Sequence, residues 1–143
     1  MNRTYSYDDT LLVPQYSDIR SRAEIDISTD LGNGVVLQLP IFASPMDTIC
    51  EGAMADAMGK VGASAIIHRY QEQMNEINRA KPPRPIGAAI GVSGDYIERA
   101  SALVDCGADF LCIDVAHGHH IMMKEALWEL RLLFGDDYHL MAG

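Results

Sequence analysis

Polar side chains gather at three points along the 143 residues, each directly after a short apolar run. Ser44-Pro45-Met46-Asp47-Thr48 is the first. Where such a turn opens a helix, the unpaired amides can hold an anionic group, and Ser44 can add its hydroxyl. The same residues also read as an ordinary capping turn with Met46 as a plain apolar side chain. His68-Arg69 is the second point. Arg69 offers a planar fork of donors suited to a phosphate or a carboxamide, or else one half of a surface ion pair of little energetic consequence. The third is Asp114-Val115-Ala116-His117-Gly118-His119-His120. A carboxylate closing a buried run is costly unless it is bonded, so Asp114 is expected to face a polar cleft. There it can accept from a ribose hydroxyl or a ring amide; neighbouring backbone amides are the other way to satisfy it.

Other chemistries find less support. Imidazole is a common zinc ligand, but no cysteine or carboxylate stands at a familiar ligand spacing from His117, His119 or His120, and no metal site is assigned. Cys50 falls in a helix first turn, where the dipole lowers a thiol pKa; such a cysteine also serves as a small buried side chain. No catalytic nucleophile is assigned. Gly87 and Gly91 match neither the Walker nor the dinucleotide phosphate-binding spacing.

The elements that position these residues alternate. Short apolar runs begin near residues 41, 65, 86, 110 and 138, separated by 24, 21, 24 and 28 residues. Helix-length amphipathic stretches fill the gaps, over about 49–60, 71–80, 95–106 and 120–134. Thr48 with Glu51 fits a capping box, Asp95 a carboxylate cap, and Gly107 a helix stop. Pro82-Pro83-Arg84-Pro85 cannot continue a helix and delivers extended chain into the third run. Each gap is long enough for a crossover helix, so the strands are expected to be parallel. Their lack of alternation implies burial on both faces. The 40 residues before them are β-leaning over Tyr5–Val13 and Glu24–Leu39, with a hairpin turn at Gly32-Asn33-Gly34.

The resulting pattern is α/β. The polar clusters follow the strand ends, the edge that carries chemistry in βα barrels and open parallel sheets alike. A whole eight-stranded barrel takes ~250 residues, so the expected architecture is the first portion of one: four β/α units and a fifth strand over 41–143, with a β segment over 1–40 packed on it.

Composition bounds the partners. The net charge of −9 argues against nucleic acid or an anionic membrane surface, both of which call for a basic face. No apolar run reaches the ~18 residues of a membrane span. Three cysteines without a CxxC spacing suit a reducing compartment, and a cytoplasmic location is expected.

The segments Tyr7-Asp8-Asp9-Thr10-Leu11-Leu12-Val13-Pro14, Ser21-Arg22-Ala23-Glu24-Ile25-Asp26, Ser44-Pro45-Met46-Asp47-Thr48, Ile67-His68-Arg69 and Asp114-Val115-Ala116-His117-Gly118-His119 occur in this order. Together they resemble the IMP dehydrogenase / GMP reductase family, and Met141-Ala142-Gly143 is similar to the start of a further family strand. The resemblance implies a TIM barrel acting on a purine nucleotide (GMP or IMP) with NADP or NAD, in a homo-oligomer, the family tetramer. It implies that Ser44 and Met46 meet the purine nucleotide. Arg69, Asp114, Val115 and Ala116 would line the nicotinamide dinucleotide site, with Ser21 and Arg22 added in the reductase branch. Only Ala80–Pro85 stands where IMP-oxidising members commonly insert regulatory CBS modules. With Ser21-Arg22-Ala23-Glu24 and the cationic Arg69, this favours GMP reductase, with IMP dehydrogenase as the alternative. The family's nucleophilic cysteine, in a Gly-rich loop, has no counterpart in Cys50, Cys106 or Cys112, so this polypeptide alone is expected not to turn over. It is then either part of a longer enzyme or a non-catalytic half-barrel serving as an assembly or regulatory fragment.

Overall fold

Five parallel strands lie side by side in chain order, the arrangement that crossover helices of one hand produce. The structure is a computed structural model that describes residues 3–70, 72–80 and 85–143. A two-stranded hairpin comes first, β1 (Thr29–Asp30) and β2 (Val36–Leu37), followed by β3 (Phe42–Ala43) and α1 (Gly52–Lys60). Then come β4 (Ser64–Ile67), α2 (Gln73–Arg79), β5 (Ile86–Ile90), α3 (Tyr96–Asp105), β6 (Phe110–Ile113), α4 (Ile121–Phe134) and β7 (His139–Ala142). The sheet order is β3-β4-β5-β6-β7, every pairing parallel.

The central strands β4, β5 and β6 are buried at every residue, as their unbroken apolar runs require. Side chains nevertheless divide by the period of two. Ala65, Ile67, Ile86, Ala88, Ile90, Leu111 and Ile113 pack with Ala55, Ile77, Ala100, Leu103, Met123 and Leu130 of the four helices. Ile66, Ala89, Phe110 and Cys112 form a second cluster with Val35, flanked by Leu31, Phe42 and Met141. All four helices thus cover one face, and the hairpin covers part of the other. The hairpin sits at the amino ends of the strands. The Gln38 and Leu39 amides donate to the Gly62 carbonyl at 2.9 Å each, and the Asn33 side chain donates to the Asp136 carbonyl at 3.0 Å.

Gly87 is required by packing. A Cβ there would stand 2.3 Å from the Phe110 ring, which takes the vacant space and meets Phe42 and His139 edge-on at 5.7 and 5.9 Å. The Gly32-Asn33-Gly34 turn lies in the left-handed region at all three residues (φ 87, 54 and 80) and turns β1 antiparallel into β2, as expected.

Helix starts depart from the sequence reading. The capping box at Thr48 and Glu51 does not form, because residues 46–50 make their own turn with Thr48 at φ 61. Helix α1 begins at Gly52 instead, whose amide donates to the Glu76 carboxylate at 3.0 Å, a cap supplied across space by α2. Asp95 stands at the N-cap of α3 but its side chain makes no capping bond. The cap of α4 is His120, whose Nδ1 accepts from the Met122 amide at 3.2 Å. Tyr5–Val13 forms no strand; it holds a 3-10 turn at Tyr7–Asp9, and every residue from 3 to 28 is exposed. Gln71 and Lys81–Arg84, with the proline-rich entry to β5, lie outside the described residues.

Two sheet strands are tied from the helix side. Gln73, fully buried, donates through Nε2 to the carbonyls of Ile67 (3.1 Å) and Ala89 (2.7 Å), and its Oε1 accepts from Arg99 Nε at 2.9 Å. Stripping this group leaves buried acceptors without their donor, so Gln73→Ala is expected to lower unfolding free energy by ~1–3 kcal/mol in chemical denaturation. Cysteine reactivity gives a second check. Burial pushes the thiols of Cys50 and Cys112 up to about 11, with the Asp114 charge adding to the effect at Cys112. Native-state alkylation at pH 8 is expected to label the partly exposed Cys106 first, the other two slower by roughly a hundredfold or more.

Candidate functional site

Polar side chains with the chemistry singled out above, Ser44, Arg69 and Asp114 among them, stand at the carboxyl ends of the strands. Ser44, His68, Gly91 and Asp114 lie two residues beyond Phe42, Ile66, Ala89 and Cys112, continuing the parity of the helix-free face. Backbone bonds lock the ends together, Asp114 N–H to Ile90 O at 2.8 Å and Gly143 N–H to Ile113 O at 3.0 Å.

Arg69 and Asp114 meet on this rim. Arg69 Nε stands 3.8 Å from Asp114 Oδ2, although the two residues follow β4 and β6, with β5 between them. The guanidinium crosses above Gly91, where a Cβ would lie 3.6 Å from Arg69 Nη1. It also lies over the Tyr70 ring, 4.9 Å from the centroid, while the Arg69 carbonyl accepts from Arg99 Nη2 at 3.1 Å. Arg69 Nε is buried and, among the described residues, has no hydrogen-bond partner. At 3.8 Å the pair is an electrostatic contact and no hydrogen bond. Each side chain is about one-third exposed (37% and 33%), so solvent screens the attraction and leaves the donors and acceptors free for a ligand.

The loop after β3 occupies the neighbouring part of the rim. Ser44, Met46 and Asp47 are exposed there, and the chain turns tightly through Met46 N–H to Ser44 O at 2.7 Å. His68, 1% exposed, lies beneath it. Its Nε2 is 3.8 Å from Asp47 Oδ1 and 3.9 Å from Glu51 Oε1. Its backbone N–H donates to the Cys50 carbonyl at 3.4 Å.

The structure thus gathers Arg69 and Asp114 directly and places Ser44 and Met46 on the same strand edge. Val115 turns the other way and packs on the helix-side core, and Ala116 is exposed just beyond. Ser21 and Arg22 sit in an exposed 3-10 turn (Arg22–Glu24), with no contact among the described residues that joins them to the rim. The histidine cluster is partly structural. His120 caps α4, and its ring meets His117 edge-on at 6.2 Å. Among the described residues no group of three or more potential ligands is disposed to hold a metal, and no helix is long and apolar enough to cross a membrane. Sequence reasoning missed Gly91 and Tyr70. The first was legible as a glycine one residue past a strand end, the second as an aromatic beside an arginine.

The family model for the IMP dehydrogenase / GMP reductase domain matches residues 4–143. An inosine-5'-monophosphate dehydrogenase of Nitrosopumilus maritimus (strain SCM1) is 44% identical over 53% of this chain and 17% of its own length. One from Cryptosporidium parvum is 30% identical over 88% of this chain and 42% of its own length. A GMP reductase of Streptococcus equi subsp. zooepidemicus (strain H70) is 33% identical over 80% of this chain and 36% of its own length. The chain accordingly spans less than half the length of each of these relatives. Matched over nearly all of its residues, with the Ser44–Thr48, Ile67–Arg69 and Asp114–His119 motifs on one edge of a parallel α/β sheet, the chain belongs to the IMP dehydrogenase / GMP reductase family.

Proposed function

We propose that this chain forms substrate- and cofactor-binding parts of an NAD(P)-dependent purine nucleotide oxidoreductase, and that the reaction is reduction of GMP to IMP and ammonia. The β3–β7 sheet is then an arc of a (β/α)8 barrel, residues 41–143 of the chain, and of the leading segment, residues 1–40, the hairpin over 29–39 packs on its amino-terminal end. Strand order supports the arc. It runs without the reversal that marks a doubly wound sheet, and all helices lie on one face. The hairpin across the amino ends supports the placement of the leading segment.

The observation that carries the reading is the Arg69–Asp114 pair, brought to 3.8 Å across Gly91 from two different strand ends. A nicotinamide dinucleotide, when bound, donates or accepts the hydride. The residues fit such a group. Asp114 accepts from ribose hydroxyls, Arg69 offers the exposed end of its guanidinium to a carboxamide or phosphate, and Val115 and Ala116 close the same turn. Ser44 donates to the nucleotide from the adjoining loop, and Met46, half exposed (54%), offers a polarizable surface to the flat purine. Ser21 and Arg22 add to the dinucleotide site on this reading, as the resemblance to the reductase branch implies. None of the three cysteines lies among these groups, so the chain's own contribution is binding and orientation.

Oxidation of IMP to XMP is the second reading, favoured by the inosine-5'-monophosphate dehydrogenase names of two matched relatives. Assay of the natural gene product separates the two. GMP-dependent NADPH oxidation is expected, with IMP-dependent NAD reduction absent. Arg69→Met keeps the apolar stem and removes the fork; it is expected to raise the KM for dinucleotide about tenfold, the equivalent of ~1.4 kcal/mol. Turnover with neither nucleotide overturns the proposal.

A further inference from the structure

His68 is the most buried polar side chain on the rim, and its hydrogen bonding is half complete. Nδ1 accepts from the Tyr70 amide at 3.3 Å, which places the proton of the neutral ring on Nε2. Among the described residues Nε2 has no hydrogen-bond partner. A buried donor left in this state is costly, and it points at two carboxylates that stop short of it, Asp47 Oδ1 at 3.8 Å and Glu51 Oε1 at 3.9 Å. A second cost sits on the same loop. Thr48 is β-branched and holds φ 61, a conformation such residues rarely adopt.

We propose that His68 is a positioning residue for the Ser44–Glu51 loop, and that seating a purine monophosphate on Ser44 and Met46 draws the Asp47 carboxylate onto His68 Nε2–H. This deepens the function proposed above and rests on it. Asp47 is the acceptor because it stands next to Met46 and is largely exposed (69%), free to swing inward. Glu51 is the less exposed of the two (44%), and its backbone is fixed as the N-cap residue of α1. The fixed end is His68 itself, held by its ring bond to Tyr70 and by its backbone bond to Cys50. A shift of less than about 1 Å converts the contact into a charge-assisted hydrogen bond. The loop is then fixed against the strand end, with Ser44 and Met46 set toward the nucleotide.

Crystal structures of the natural gene product with and without GMP or IMP test this directly. The Nε2–Oδ1 distance is expected to fall below about 3.2 Å with nucleotide bound. In solution, Asp47→Ala is expected to weaken nucleotide binding about tenfold (~1.4 kcal/mol) with the thermal midpoint unchanged, since the side chain is exposed. Asp47→Asn, which keeps an acceptor oxygen, is expected to recover most of that loss, and Glu51→Gln to bind as the wild type does. His68→Phe, which keeps the ring and removes the donor, is expected to match Asp47→Ala. Should it fail to fold, the Asp47 variants carry the test alone. Nucleotide bound with the gap still at 3.8 Å, or Asp47→Ala binding at full affinity, overturns the positioning role and leaves the oxidoreductase reading standing. A wild-type protein that binds neither nucleotide overturns both.

Discussion

Burial of β4, β5 and β6 on both faces is the constraint from which the rest follows. A polar side chain in the middle of such a strand would lose its water on either side. The one buried polar residue of these strands, Ser64, stands at the first position of β4 and donates to the Pro85 carbonyl. Polar groups are therefore confined to the strand ends. The parallel ladder sets all the carboxyl ends at one edge, so residues far apart in sequence become neighbours there. Arg69 and Asp114 are 45 positions apart in the chain and 3.8 Å apart in space for this reason alone.

The two faces of the sheet are filled differently, and the difference bears on the site. The helix side takes branched residues such as Ile67, Ile90, Leu111 and Ile113, which interlock with the helices. The opposite side mixes the bare Gly87 and small Ala89 with the bulky Phe110, one ring taking the volume its neighbours leave. That filling lies toward the amino ends, beneath Val35 and Leu31 of the hairpin. Toward the carboxyl ends the same face carries Gly91, which leaves open the space the Arg69 side chain crosses. Only Gly87 is demanded by packing; a Cβ at Gly91 would meet Arg69 Nη1 at 3.6 Å, an ordinary contact.

Much of this was legible in the sequence because it depends on local pattern. Unbroken apolar runs at regular spacing mark buried parallel strands, and Gly32-Asn33-Gly34 marks a hairpin, since few other residues accept three successive left-handed positions. Helix starts were less legible because their caps come from elsewhere. The amide that opens α1 bonds Glu76, 24 residues on, and no local motif can announce a partner supplied by another helix. The binding of Gln73 to two strands is hidden for the same reason: it reads as a polar helix residue until the sheet is folded against it. At the rim, residue types pointed to Arg69 and Asp114, but the demand on His68 is geometric and visible only once its two nitrogens are seen to differ.

The Arg69–Asp114 pair contributes little as a stabilising contact. It is partly solvated, lies beyond hydrogen-bond distance, and requires a long side chain to be held in one arrangement. The neighbourhood nevertheless restrains that residue, with the Tyr70 ring against the guanidinium and the Arg99 bond holding its backbone carbonyl. Ordering a flexible cation in advance removes an entropic cost that a ligand would otherwise meet on binding. The pair is better understood as a prepared recognition surface than as a fastener of the fold. Its weak internal bond is an advantage in that role, because a ligand has little to displace.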